Sequence, residues 1–521
     1  PERALAVDPV ARDPDVEVGE PPPSGLPLGE GLAVERGLEG DDLRPERLEP
    51  LRDGLVLRRH VGVVAAADHG RRQAGLARDL DMVEDHVGSQ AVLCERGIVE
   101  GIDHRQPVIE HVGQADTGEV AVDLARGAAM ARAFGIEMHE VSTKEAGELV
   151  PGMRTDDLVA AFYLPRDGIT SPIETTRALA KGAKMRAAKI FENVKVTGIK
   201  TKKGAVCGVS TDQGDVTCEY VVNCAGMWGR QVGQMVNVSV PLHAAEHMHA
   251  VTLPIKGLKK HFPTVRDFDG VTYFKSESDG ILLGGFEKVS KPWGMTGIPE
   301  NFMYKELQED WDQFQVFMDC GLQRFPAMET AQIRHLSVVP ESFTPDLPPI
   351  VGEAPDLQNS FVAAGLNSIG LITGGGLGRV MAQWIATGDP GTDITPLNVD
   401  RFHSYQCNPE YRKTRVVETL GMVYRRHYPT RVPLSARDCK RSPFHEHLAR
   451  ERAYFTDVSG WESPAWFAPE GQEPKVDKLS WGRQNWFPYW EAEHRACREG
   501  VVAMDMSFMG KFLVQGRDAG R

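Results

Sequence analysis

Lys, Asn, Phe, Tyr and Trp are all absent from the first 133 residues of this 521-residue chain and occur only from Phe134 onward. A domain of that length without one aromatic ring would have to build its core from Leu, Val, Ala and Met, although aromatic side chains supply the largest single burials in most cores. The stretch is rich in Arg, Asp, Glu, Gly and Pro, as in Pro21-Pro22-Pro23 and Asp41-Asp42-Leu43-Arg44-Pro45-Glu46-Arg47. Such composition reads either as disordered chain or as coding DNA translated in the wrong frame or strand, and the second reading is favoured. Function is therefore sought from about residue 127.

The totals narrow the class. A net charge of -14 speaks against a general nucleic-acid binder, whose phosphate contacts need clustered Lys and Arg. No run of about 18 apolar residues is present, so no membrane span is expected. The eight cysteines are scattered without a CxxC pair, a pattern of reduced thiols rather than of a disulfide scaffold or zinc ribbon. Opening on Pro1, the chain reads as a fragment or a processed product.

From Arg126 helices and strands alternate. Gly127–Ile136 and Thr143–Leu149 are expected helices, with 137–141 and 160–164 as strands. Ser171-Pro172-Ile173-Glu174 is a helix start with a serine cap, proline at the first position and glutamate three residues on. Strands are expected at 194–200, 206–211 and 216–222. The last runs through Asn223-Cys224-Ala225-Gly226 into a helix at Gly229–Met235, the kind of junction that offers backbone N–H groups to a cofactor phosphate. Further strands are expected at 240–254, 271–275, 281–286 and 360–364, and a helix at 306–320. A helix at 379–387 closes this unit near Asp400.

After the 360–364 strand comes the densest local signal, Gly365-Leu366-Asn367-Ser368-Ile369-Gly370 running on to Gly374-Gly375-Gly376-Leu377-Gly378. Six glycines in fourteen residues permit positive φ and close backbone approach to a ligand. Glycine count alone leaves a second reading open, a helix crossing a strand closely. On the strand around 243–249, His243, His247 and His249 share one face. No cysteine completes a familiar metal spacing and no metal site is expected, although Glu246 stands nearby.

Several motifs occur in collinear order: Ala133–Glu137, Val222–Trp228, Pro340–Asp346, Gly365–Gly378, Gly460-Trp461-Glu462 with Pro464, Trp466 and Phe467, Asn485-Trp486-Phe487, and Met504–Ser507 with Gly510-Lys511-Phe512. In these, residues 127–521 resemble the flavin-dependent sarcosine and dimethylglycine dehydrogenases, a family that includes the regulatory subunit of pyruvate dehydrogenase phosphatase. The resemblance implies an α/β (α+β) fold of the FAD-dependent, DAO-type oxidoreductase class with mixed sheets. Its N-terminal Rossmann half would be missing or replaced by disordered sequence, and an aminomethyltransferase-like (GcvT-like) folate-binding domain would start at the C-terminus. The expected division is 1–126 without recognisable fold, 127–400 oxidoreductase, 401–495 central connector and 496–521 the start of the folate domain.

The family chemistry this implies is hydride transfer from an N-methyl carbon of a glycine derivative to FAD, with formaldehyde passed to tetrahydrofolate. The substrate would be a small N-methylated amino acid, and the electron acceptor an electron-transfer flavoprotein or oxygen. The compartment would be the mitochondrial matrix in a eukaryote and the cytoplasm otherwise. By position, Val196 and Trp228 would contact FAD, and Gly365, Leu366, Asn367, Ser368, Ile369 and Gly370 would line the flavin ring. His247 matches the histidine of the family's His-x-Tyr segment and His249 stands where tyrosine is usual; both are the catalytic candidates. Tyr273 and Lys275 sit where the family lines its substrate pocket. The family's GxGxxG fingerprint has no counterpart beyond Gly29-Glu30-Gly31, and the flavin-linking histidine is absent, so the chain as written is expected to bind FAD poorly. The altered His249 leaves a non-catalytic regulatory protein as the alternative.

Overall fold

The computed structural model describes residues 62–64, 108–113 and 119–520, apart from 426, 427, 429, 430 and 478. Most of the aromatic-free stretch, including the Gly29–Gly31 segment, lies outside these residues. Two of its segments are described as strands, β1 (Gly62–Val64) and β2 (Val108–Gly113), and a helix, α1 (Glu119–Ala133), starts well before the expected Gly127. Helix α1 buries Val120, Leu124 and Ala128, spaced four apart on one face, against Met138 and Phe162.

Among the described residues the largest sheet has nine strands. Near one end of it β9 (His243–Thr252) pairs along one edge with the outer strand β14 (Ile333–Phe343) over its whole length. Its other edge meets β12 (Gly280–Gly285), which passes the sheet on to β11 (Thr272–Glu277), β10 (Thr264–Asp267), β2 and β4 (Leu158–Leu164). One face of β9 and its neighbours, with Met248, Phe274, Leu283, Leu336 and Val338, is covered by the helix Trp311–Arg324. That helix begins at Trp311, five residues later than the sequence suggested, behind its cap Asp310, whose carboxylate accepts from Gln313 N at 2.9 Å. It lies close because glycines face it: a Cβ on Gly285 would stand 2.4 Å from Phe317 and one on Gly321 2.7 Å from Leu283. Burying Phe314 and Phe317 there contributes roughly 1.5–3 kcal/mol each. At the helix end the buried Arg324 joins Asp267 at 3.0 Å and Asp157 at 2.8 Å, so its charge is matched and the β10 and β4 ends are tied together.

A second sheet, order β1-β8-β16-β15, sets β8 (Val221–Asn223) between β1 and β16 (Ser360–Ala364), all three parallel, with β15 (Ile350–Glu353) antiparallel at the edge. The single strand expected at 216–222 is thus two. Gly214–Thr217 closes a three-stranded meander with Val196–Lys202 and Ala205–Thr211, and Val221–Asn223 crosses into the parallel sheet. The helix expected from Arg379 is longer, Gly370–Thr387, and takes in Gly370 to Gly378, with Gly365 left in the turn before it.

Residues 401–495 carry the helix Pro409–Leu420, the hairpin Ala453–Val458/Trp461–Phe467 and the helix Phe487–Glu499. A stack of Tyr454, Trp466 and Tyr489 forms part of the small core there. Among the described residues no helix is long and apolar enough to cross a membrane.

Candidate active site

The parallel strands β8 and β16 end side by side, and each runs into a turn of small residues. Ligands of open α/β sheets bind in the crevice outside such carboxyl ends. Asn223 holds the first turn, donating from Nδ2 to Gly229 O at 2.8 Å and accepting from Ala225 N at 3.3 Å. Asn367 holds the second. Its Oδ1 accepts from Thr344 N at 2.8 Å, and its Nδ2 donates to the carbonyls of Leu347 and Gly365. Gly365, Asn367 and Ser368 all have positive φ (69°, 46° and 67°), a run of left-handed backbone that the asparagine's bonds keep in place.

Leu242 is the common wall of both turns. A Cβ on Gly229 would stand 3.3 Å from it, and one on Gly365 would stand 2.8 Å from it and 2.5 Å from Thr344. Beyond the second turn the helix Gly370–Thr387 begins without a side-chain cap, so its N-terminal dipole meets the crevice unopposed. Among the described residues nothing outside the helix's own backbone lies within 4 Å of where a Cβ would stand on Gly374, Gly375, Gly376 or Gly378, so the helix is open around these positions.

The face of the large sheet opposite the helix Trp311–Arg324 adjoins this crevice and is partly covered by Val416 and Leu420 of the helix Pro409–Leu420. Register places His249, Gly284 and Tyr273 in one row across β9, β12 and β11, and His247 two residues along on the same face. Gly284 leaves room for the Tyr273 ring, since a Cβ there would stand 2.3 Å from the phenol oxygen. Phe286 packs on His247 at 4.9 Å and on Tyr273 at 6.2 Å between ring centres. Burial holds the His247 and His249 imidazoles below their ordinary pKa, so at neutral pH both are uncharged and able to accept a proton. Burial pushes the Tyr273 phenol up, keeping it a donor. The buried Nδ1 of His247 has no protein partner.

Glu341 connects the two parts. It stands on β14 opposite Ala245, on the face that carries His247, and receives a hydrogen bond from the Ser368 hydroxyl of the glycine turn. Sequence reasoning quoted the Pro340–Asp346 motif but assigned Glu341 no role. Only the register of a strand interrupted by Pro340 places it beside the histidines.

The other expected residues divide. Gly365 to Gly370, His247, His249 and Tyr273 come together around the crevice. Trp228 borders it on a short turn, with its indole donating to Pro299 O at 3.3 Å. Lys275 shares the Tyr273 face and is paired with Glu277 at 2.9 Å. Val196 starts the meander and packs against the core that includes Val209, Leu242 and Val362. His243 is bound elsewhere: its Nδ1 accepts from Arg412 at 2.8 Å, and burial beside that guanidinium pushes its pKa down to about 4.

A parallel-stranded crevice with a helix N-terminus beside it is the arrangement in which open α/β sheets bind nucleotide cofactors. The family model described as FAD dependent oxidoreductase matches residues 52–384, and the chain belongs to that family. The FAD dependent oxidoreductase central domain matches 387–442 and the GCVT N-terminal domain 444–521, both starting upstream of the 401 and 496 expected from sequence.

Among curated relatives, the mitochondrial pyruvate dehydrogenase phosphatase regulatory subunit of Mus musculus is 35% identical over 77% of this chain and 46% of its own length. The mitochondrial sarcosine dehydrogenase of Homo sapiens is 34% identical over 75% and 45%. The formaldehyde-forming 4-methylaminobutanoate oxidase of Paenarthrobacter nicotinovorans is 38% identical over 74% and 46%. The chain spans about half the length of these relatives.

Proposed function

We propose that the chain is the oxidoreductase part of an FAD-dependent enzyme that oxidatively demethylates an N-methylated amine. The observation that carries this reading is the Asn367-locked glycine turn, joined through Ser368 and Glu341 to the face that holds His247 and Tyr273. Support for FAD comes from the uncapped helix N-terminus and the backbone of 365–370, which would suit an electron-rich ring edge, and from the open backbone of the glycine helix, which would admit a flat group. When bound, FAD would supply the two-electron acceptor for hydride from the N-methyl carbon. Hydrolysis of the oxidised amine would release formaldehyde, with tetrahydrofolate as its acceptor in the complete architecture.

The chain's own residues would bind and orient the amine. Neutral His247 and His249 would take a proton from an ammonium nitrogen, and Tyr273 would donate to a polar substrate atom. Phe286 and Tyr424, in contact at 4.9 Å, would exclude water from that side. Mitochondrial placement, if the source is eukaryotic, rests on the names of the relatives alone. The test is formaldehyde release with anaerobic bleaching of bound flavin on adding an N-methylated amine to the FAD-supplemented full chain. Neither signal with flavin bound would reject the reading.

A second reading, a non-catalytic regulatory protein, is favoured by His249 in the usual tyrosine position and by the likeness to the phosphatase regulatory subunit. Turnover in the same assay would exclude it.

A further inference from the structure

Beside the first turn of the crevice lies a group of side chains with positive charge and, among the described residues, no carboxylate paired to it. Arg412, on the helix Pro409–Leu420, is 2% exposed, and its guanidinium donates to neutral groups: Nε to Cys407 O at 3.0 Å, Nη1 to Leu242 O at 3.0 Å and to His243 Nδ1 at 2.8 Å. Arg230, half-buried on the helix Gly229–Gln234, is close enough to repel Arg412, and its side chain has no partner among the described residues. The acidic group that both guanidiniums feel is the Cys407 thiol, which burial pushes up and so keeps protonated. Lys413 adds a third positive field at His243 and has Glu410 at 3.9 Å.

His243 supplies a second, independent sign. A guanidinium only donates, so Nδ1 is the acceptor and the neutral ring carries its proton on Nε2. His243 is 3% exposed, and its buried Nε2 has no protein partner. Arg230, His243 and Arg412 line one cavity with Met227, Gln231 and Leu242; it measures about 10 Å³, the room of a single water-sized species. Buried cations are ordinarily matched by carboxylates, so two guanidiniums and an imidazole N–H around a common space form a donor set for one anion. Gln231 Oε1, buried and unpartnered with its amide nitrogen donating to Ile298 O at 2.8 Å, is the acceptor that makes water the competing occupant.

We propose that this cavity binds one small monovalent anion of halide size, held by Arg230, Arg412 and the Nε2–H of His243. The anion would join the helix Gly229–Gln234, the start of β9 and the helix Pro409–Leu420, clamping the first turn of the crevice to the segment that follows the oxidoreductase part. This inference is independent of the amine reading.

The test is thermal unfolding of the full chain at one ionic strength in sodium gluconate, chloride or bromide. Chloride and bromide are expected to raise the midpoint by roughly 2–4 °C over gluconate, an anion too large for the cavity. Arg230→Gln, which has no side-chain bond to lose, should unfold as the parent does in gluconate and lose the halide shift. Lys413→Gln, outside the cavity, should keep it. In bromide-soaked crystals the anomalous signal should fall between Arg230, His243 and Arg412.

Equal midpoints in halide and gluconate would overturn the proposal, as would a full halide shift in Arg230→Gln. An equal loss in Lys413→Gln would replace the site with a diffuse field of charge. Water alone between the three side chains in bromide-soaked crystals would contradict it directly.

Discussion

Thr344 and Asn367, 23 residues apart in the chain, are joined by a buried hydrogen bond of 2.8 Å from the Thr344 amide to the Asn367 side-chain oxygen. The same side chain donates to Leu347 O and Gly365 O, so one asparagine fastens the glycine turn to the segment that follows β14. Asn367→Ala leaves a buried amide and two carbonyls without partners and puts Cβ-only backbone at φ 46°. The expected loss is about 2–4 kcal/mol, read as a lower urea midpoint with an unchanged slope.

Gly365→Ala tests the close approach of the turn to its wall. With φ at 69° and the new methyl 2.5 Å from Thr344 and 2.8 Å from Leu242, the turn must move. A loss of about 2–4 kcal/mol is expected from the left-handed backbone and the overlap together. Gly375→Ala, at an open position of the glycine helix, is the contrasting control. It should leave thermal stability unchanged or slightly raised, since alanine favours helix.

Glu287 makes stability depend on pH. Burial pushes its carboxyl up to about 7, and one carboxylate oxygen lacks a partner; Gln313 donates to the other at 3.3 Å, with Glu246 and Lys291 nearby. The folded value lies above the ordinary 4.5, so its contribution is fully present below pH 4.5 and is lost as pH rises through about 7. Relative to the parent, Glu287→Gln should gain on the order of 3 kcal/mol between pH 4.5 and 8, measured by urea unfolding across that range.

His243 has the opposite sign. Its folded pKa of about 4 lies below the ordinary 6.5, so stability is present above pH 6.5 and lost as pH falls through about 4. Its imidazole resonances should show no titration between pH 5 and 8. In Arg412→Met, which removes the guanidinium beside Nδ1, the titration should move upward.

Local chemistry made the turns legible from sequence. Clustered glycines with one asparagine announce positive φ, and Ser171 caps its helix as read, accepting from Glu174 N at 3.3 Å. What depended on pairing between distant segments was not legible. The strand at 333–343 contains Pro340 and has no clean alternation; it becomes a strand because β9 supplies partners along its length. Glu341 enters the site through that register alone. The first turns of α1 were hidden differently, because a composition free of aromatics outweighed the four-residue spacing of Val120, Leu124 and Ala128.

The most direct test of the account is a difference-absorbance titration of the purified full chain with FAD, followed alongside its circular dichroism. The chain should purify without colour and take up added FAD weakly but saturably, with the resolved band shape of a flavin in an ordered site, and Gly365→Ala should weaken that uptake by a further tenfold or more. A free-flavin spectrum at every FAD concentration, from protein that remains folded, would contradict the assignment of this crevice to the cofactor.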